Sequence, residues 1–187
     1  MNKKTLALTE EQYKDIINTM RTGFTGFRAN NRVATALVLE ANIGIRVSDI
    51  IKLRLNDFVF ESGRYRLDIK EQKTGKSRTF TVPTEIYNYI KNYAYDNNIK
   101  ADERLFNLTT TAIQKQLRLV CNYLGYDGIS THSFRKFFAT EIYRNNDYNI
   151  VLVQHLLQHS SAAITQRYIG ISDKAIEQAL TSHIKLV

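Results

Sequence analysis

Cysteine and proline are nearly missing from this 187-residue chain, which holds one of each, Cys121 and Pro83. A single cysteine excludes an internal disulfide and leaves a reducing cytoplasm as the default compartment. Cys121 sits beside Val120 and Leu124 in an apolar helical stretch, so it reads as a small buried hydrophobe rather than a catalytic thiol. No apolar run is long enough to span a bilayer. The N-terminus, Met1-Asn2-Lys3-Lys4, leads into a polar helix rather than the apolar core of a signal peptide. Linkers, repeats and low-complexity tracts are also lacking, so residues 1–187 read as one globular domain. Metal chemistry finds no support either. His155 and His159 stand four apart on a predicted helix, but Leu156 occupies the position where the metalloprotease pattern needs glutamate. Cysteine ligands and a nearby acidic cluster are absent, which argues against zinc. His155 and His183 then read as packing or surface histidines.

What the chain does have is basic charge. Against 18 acidic residues stand 26 lysines and arginines, giving a formal net charge of +8 and a pI near 9.5. That balance favours a polyanionic partner, nucleic acid or an anionic membrane surface. With 43% hydrophobic and 24% charged residues the composition is that of a folded, soluble domain.

Periodicity predicts a mainly helical domain with one small antiparallel sheet. Thr9-Glu10-Glu11-Gln12 has the form of a capping box and opens a helix to about Arg21. The run Val33-Ala34-Thr35-Ala36-Leu37-Val38-Leu39, apolar on most faces, predicts a central buried helix over about 28–43. Gly44 can end it in a left-handed cap, and a short helix from about Val47 to Leu53 follows. The period then changes to two in Tyr65–Ile69 and again in Thr79–Val82. With Lys73-Thr74-Gly75-Lys76 between them, these predict a β-hairpin with a basic tip. Thr84 is expected to cap a helix to about Tyr95. Further helices are expected over about 110–124, 131–144, 148–157, 161–169 and 173–184.

Six residues carry the chemistry: Arg46, Lys73, His132, Arg135, His159 and Tyr168. Together they supply a nucleophile, cations and proton carriers, which is what attack on a phosphodiester requires without a metal. Charge developing on phosphate oxygens needs donors such as arginine, whose planar fork fits phosphate bidentately. The attacking hydroxyl must lose a proton and the leaving oxygen must gain one. His132-Ser133-Phe134-Arg135 places two such groups three apart at a helix start, on a shared face. Arg46 lies just past a buried helix, where the flanking Ile45 and Ile50 imply that it is held near the core, and Asp49 is placed to orient its guanidinium. The plain alternative is an Arg–Asp pair with no substrate. Lys73 and Lys76 read either as a solvated turn or as a tip that enters a groove and delivers a proton. Tyr168 is one of eleven tyrosines, so its context, nine residues after His159, is what singles it out.

In this order and spacing the residues resemble the catalytic domain of the tyrosine recombinases, the phage lambda integrase family, over about Thr9 to Ile169. The first family arginine matches Arg46 in Gly44-Ile45-Arg46-Val47-Ser48-Asp49, and Asp49 matches the acidic position that supports it. The hairpin lysine matches Lys73, the H-x-x-R pair His132 and Arg135, the last histidine His159 and the nucleophile Tyr168. The family usually has glycine before that last histidine, and here Gln158 stands in its place.

The resemblance implies that Tyr168 attacks the scissile phosphate, forms a 3′-phosphotyrosine and frees a 5′-hydroxyl. Arg46, Arg135 and His159 would stabilise the transition state, Lys73 would protonate the leaving 5′-oxygen, and His132 would assist proton transfer. Neither nucleotide nor metal would be needed. Arg54, Lys76, Arg78 and Lys136 are the basic groups expected to face phosphates of double-stranded DNA. The family works as a tetramer on DNA. Its members carry a core-binding domain ahead of this one, and no such segment is visible here. The chain is therefore expected to be a catalytic fragment or an unusually short member. A type IB topoisomerase shares this chemistry, and a non-catalytic DNA-binding relic is the alternative of a different class.

Overall fold

The computed structural model describes residues 5–70, 75, 77–169 and 181, the side chains of Lys70, Arg78 and Arg167 excepted. The chain divides into two compact units, Met1–Phe138 and Ala139–Val187, and the boundary falls within one continuous helix.

In the first unit α1 spans Glu10–Thr22. Both halves of its capping box form: the Gln12 amide donates to Thr9 Oγ1 at 3.1 Å and the Thr9 amide to Gln12 Oε1 at 3.0 Å. Two of the helix's free N–H groups are thereby satisfied, and they fix where it begins. Ile16, Ile17 and Met20 line its buried side.

α2 runs from Asn31 to Ile43 and is the centre of this unit. Val33, Ala34, Ala36, Leu37 and Leu39 are fully buried, so burial covers most of its circumference and not a single stripe. It starts three residues later than the apolar run suggests, because Asn30 caps it by accepting the Val33 amide at 3.1 Å. A left-handed Gly44 ends it, as expected.

α3, Val47–Ile50, is shorter than the expected helix to Leu53. Its bonds tighten to a three-residue spacing, with the Lys52 amide on the Asp49 carbonyl, and a 3-10 turn over Leu55–Asp57 follows.

The sheet has three antiparallel strands in the order β1 (Phe58–Glu61), β2 (Arg64–Lys70), β3 (Ser77–Val82). β2 and β3 are the expected hairpin arms, in register from Tyr65 opposite Val82 to Lys70 opposite Ser77. β1 is an addition. Ser62 and Gly63, both at positive φ, turn it into β2, the backbone that matches the twist of paired strands. Leu67 and Val82 point into the core and Asp68 and Thr81 outward, which is the period of two at work.

α4 (Thr84–Asp96) packs on this sheet, with the Tyr87 ring stacked on Tyr65 at 3.7 Å. Its cap position is Pro83 and not Thr84. Proline's φ of −55° suits the residue entering a helix, and Thr84 is the first helical residue. α5 (Thr110–Leu124) buries Ile113, Leu117, Val120 and Cys121, a stripe at helical spacing. Burial pushes the Cys121 thiol up to about 12, which leaves it protonated and inert.

α6 spans Thr131–Asn145 and crosses the boundary between the units. The second unit continues with α7 (Ile150–Leu157) and α8 (Ala162–Ile169), which pack on each other. The helix expected over 173–184 and the hairpin tip with Lys73 and Lys76 lie outside the described residues.

Candidate active site

The C-terminus of α2 shapes the arginine seat of the first unit. Gly44 has φ +62°, and a Cβ added there would lie 2.3 Å from the Phe138 ring. Two independent demands, a left-handed backbone and a close approach, therefore fall on one glycine. Because nothing protrudes at Gly44, α6 comes close enough for Arg135 Nη1 to donate to the Gly44 carbonyl. Arg135 and Phe138 stand three apart and share a helix face. The Arg135 side chain is 2% exposed. At a helix C-terminus the free carbonyls carry partial negative charge, so this is a favourable place for a buried cation.

Arg46 lies two residues beyond Gly44, half-buried and extended, with its carbonyl accepting the amides of Asp49 at 2.8 Å and Ile50 at 3.0 Å. It thus opens α3, and Asp49, 5% exposed, sits on that same turn. The Arg46 turn and Arg135 thus both lie at the C-terminal end of α2.

His132 and Arg135 differ more than their shared motif suggests. Both lie at the start of α6, which the Ser130 amide stabilises by donating to Ser133 Oγ at 3.1 Å. Yet His132 is exposed while Arg135 is buried. One is open to solvent and suited to proton exchange; the other is a fixed cation.

Sequence reasoning missed Glu40. It is fully buried in the last turn of α2, and burial pushes its carboxyl well above the ordinary carboxylate range. The Arg135 guanidinium and the Val47 amide pull the other way, the amide without completing a hydrogen bond to either oxygen. The signal was there to read: Glu40 is the single acid in the predominantly apolar run from Val33 to Ile43.

His159 and Tyr168, the other two expected site residues with described positions, lie in the second unit. Asn149 caps α7 by accepting the Leu152 amide at 3.0 Å. Gln158 ends the helix in the left-handed region, φ 52° and ψ 41°, so the position where the family favours glycine does have glycine-like geometry. His159 follows, bracketed by two bonds to Gln154: its amide donates to the Gln154 carbonyl at 3.0 Å, and Gln154 Nε2 donates to its carbonyl at 3.2 Å. His159 Nδ1 lies 3.0 Å from Oγ1 of the fully buried Thr165, which in turn donates to the Ser161 carbonyl at 3.4 Å. With its proton directed at Ser161, that hydroxyl accepts from Nδ1–H, which sets the orientation of the ring. The half-buried Tyr168 packs edge-to-face against His159, ring centroids 5.1 Å apart at 78°.

The remaining expected residues are scattered. Arg54 is exposed, and its amide donates to Asp57 Oδ2 at 2.7 Å. Lys136 is half-buried and donates to the Thr5 carbonyl at 2.7 Å, which ties the start of α6 to the N-terminal segment. Arg78 lies on β3, with its side chain outside the described portion. Among the described residues no group of three His, Cys, Asp or Glu side chains could hold a metal ion, and no helix is long and apolar enough to cross a membrane.

The sequence pattern of the Phage integrase family matches residues 7–175. The chain belongs to that family. It is 31% identical over 157 residues to the probable integrase/recombinase YoeC of Bacillus subtilis, covering 80% of this chain and 83% of that one. Among solved structures it resembles the XerH site-specific recombinase bound to a palindromic difH substrate in a post-cleavage complex. There the TM-score is 0.70 at 21% identity, and the match covers 96% of this chain but 54% of XerH. It also resembles the catalytic domain of bacteriophage HP1 integrase, with a TM-score of 0.67 at 20% identity and 96% of both chains covered. At these identities the structural matches establish the fold: the mostly helical catalytic-domain fold of the integrase family, with its small antiparallel sheet.

Proposed function

We propose that this chain is the catalytic domain of a site-specific DNA recombinase that cleaves and rejoins DNA through a 3′-phosphotyrosine. Tyr168 is the nucleophile, and its oxygen displaces the 5′-oxygen at the scissile phosphate. Arg46 and Arg135 donate to the phosphate oxygens on which charge develops. His159, protonated as the imidazolium, adds a further donor, and Asp49 supports Arg46. His132, open to solvent, helps move the tyrosine proton, and Lys73 protonates the leaving oxygen. The covalent bond conserves the phosphodiester energy, so rejoining needs no nucleotide. Double-stranded DNA is the substrate, further copies of the recombinase complete a tetramer on it, and the compartment is the cytoplasm. Arg54, Lys76, Arg78 and Lys136 belong to the phosphate-facing surface in this reading.

The observation that carries it is the placement of Tyr168. Of eleven tyrosines, this one packs edge-on against a histidine whose other nitrogen is already held by Thr165. That is a nucleophile beside an oriented histidine able to stabilise the charge its attack creates, an arrangement suited to covalent catalysis.

The test uses a nicked duplex pool with randomised sequence around the nick, in which cleavage releases a short fragment and traps the protein on DNA. The parent chain should form a covalent adduct through Tyr168. Tyr168→Phe should form none, while its DNA affinity stays within about twofold of the parent, because the ring still packs. An adduct formed by Tyr168→Phe would assign the attack to another residue.

A further inference from the structure

Residues 5–8 form neither helix nor strand, yet they are fastened along their length. The Leu6 amide donates to the Gly128 carbonyl at 3.4 Å. Ser130 Oγ donates to Thr5 Oγ1 at 3.4 Å, and Lys136 Nζ donates to the Thr5 carbonyl at 2.7 Å. Leu8 is buried, and Thr9 then caps α1. Within α1, Asp15 Oδ2 accepts the Tyr126 hydroxyl at 2.6 Å. These partners of Thr5, Leu6 and Asp15 all come from residues 126–136, the turn that leads into α6 and the start of that helix. Ser130 also sets where α6 begins: its carbonyl accepts the Ser133 amide at 2.9 Å, and its amide donates to Ser133 Oγ at 3.1 Å. His132 and Arg135 lie inside this fastening, with Gly128 and Ser130 before them and Lys136 after them.

We propose that residues 5–8 are a strap that positions the start of α6, and that Lys136 is the positioning residue that closes it. A helix end frays unless its first turn is held. Here the turn that carries His132 and Arg135 is held from outside the helix, at Gly128 and Ser130 on one side and at Lys136 on the other. An ammonium on a carbonyl is a charge-assisted bond, stronger than the two 3.4 Å contacts, so it carries most of the hold. Side chains that act on a phosphate gain from being fixed before it arrives. That the held residues serve cleavage rests on the recombinase reading above; that the strap holds α6 concerns the protein alone.

The rival explanation is that residues 5–8 merely lie along the surface and that Lys136 acts only as a charge on a DNA phosphate. Substitutions at three positions separate the two. Lys136→Met keeps the stem and removes the donor. Lys136→Arg keeps a donor long enough for the same carbonyl. Leu6→Pro removes the amide that meets Gly128, and Thr5→Val removes the oxygen that meets Ser130; both leave every charge in place. Thermal unfolding confirms that each variant is folded. Hydrogen exchange at the Ser133 amide is then read in the free protein. The single-turnover rate of adduct formation is read at saturating nicked duplex, the randomised-flank pool described above. The salt dependence of DNA affinity is read on the same pool.

Lys136→Met should speed Ser133 exchange and slow adduct formation, each about tenfold, with the salt dependence unchanged. Lys136→Arg should stay within about threefold of the parent on both. Leu6→Pro and Thr5→Val should each speed exchange about threefold. In the Lys136→Met background they should add less, because the strap is already open. A folded Lys136→Met protein whose Ser133 amide exchanges like the parent's would overturn the proposal. So would one that forms adduct at the parent rate, and a slope of log affinity against log salt lower by about one would then assign Lys136 to a phosphate instead. Should Lys136→Met not fold, Leu6→Pro and Thr5→Val decide the matter, and parent-like exchange in both overturns it. If the parent itself traps no adduct, the recombinase reading fails, and the exchange measurement still decides whether the strap holds α6.

Discussion

Arg135 and Tyr168 are held in opposite ways. Arg135 is 2% exposed on a fifteen-residue helix, with Phe134 fully buried beside it, the Gly44 carbonyl in front and a glycine that admits no substitute. Tyr168 is half-buried on an eight-residue helix, and its neighbour His159 is placed by a short chain of hydrogen bonds through Thr165 to Ser161. Groups that stabilise charge on a phosphate gain from being fixed in advance. A nucleophile must instead move its oxygen through bond formation and later give it up. Rigid packing suits the first task, and a short, lightly tethered element drawn from the low-stability end of a fold suits the second.

The sharpest way to break this comparison is Arg135→Lys. A lysine keeps the charge but loses the fork that reaches Gly44 and, in the proposed mechanism, a phosphate. The single-turnover cleavage rate should fall on the order of 10²- to 10³-fold, the usual loss for a charge-stabilising donor, with DNA affinity changed far less. A loss under about tenfold would show that charge alone matters and that the rigid seat is incidental.

Next in size is a pH effect confined to the rigid half. Burial raises the Glu40 carboxyl well above its ordinary value of 4.5. The folded state thus binds this proton more tightly than the unfolded chain does. Its contribution to stability is fully present below 4.5 and is lost as pH rises toward the folded-state value. Glu40→Gln has no such proton to lose. The difference in unfolding free energy, variant minus parent, should grow with pH above that point by up to about 1.4 kcal/mol per unit. Urea unfolding at about pH 5 and about pH 8 reads it. Parallel profiles for variant and parent would mean that Glu40 is ionised throughout.

On the lightly held side, Thr165→Val keeps the shape and removes the hydroxyl that meets His159 Nδ1. Losing one hydrogen bond is worth about 1 kcal/mol, so cleavage should slow roughly five- to tenfold with binding unchanged. No change in rate would place the orientation of His159 elsewhere, in its two bonds to Gln154.

The two regions also differed in how much the sequence disclosed. Residue types and spacing, read with the resemblance to the tyrosine recombinases, singled out Arg46, Lys73, His132, Arg135, His159 and Tyr168 as candidates. Helix starts were legible where a cap was written in the sequence, as at Thr9 and Gln12. β1 was not, because Phe58-Val59-Phe60 shows no alternation and both Val59 and Phe60 are exposed. The contrast between buried Arg135 and exposed His132 was hidden as well. Helical spacing assigns a face, but only the close approach of α6 to Gly44 decides which residue on that face is covered. Glu40 went unread because it stands one residue past Val33–Leu39, the apolar run that marked the buried helix.

The smallest effect concerns Gln158, where the lightly held region carries a visible backbone cost. A non-glycine residue in the left-handed region is disfavoured by about 1–2 kcal/mol. Glycine would remove that strain but would add about 0.5–1 kcal/mol of unfolded-chain entropy. Gln158→Gly should therefore stabilise the α7–His159 turn by on the order of 0.5 kcal/mol. The His159 amide, which donates to the Gln154 carbonyl, is the place to look, and its hydrogen exchange should slow about twofold. Faster exchange in the variant would mean that the Gln158 side chain holds the turn by contacts worth more than the strain. The second unit would then be tethered more firmly than its short helices suggest.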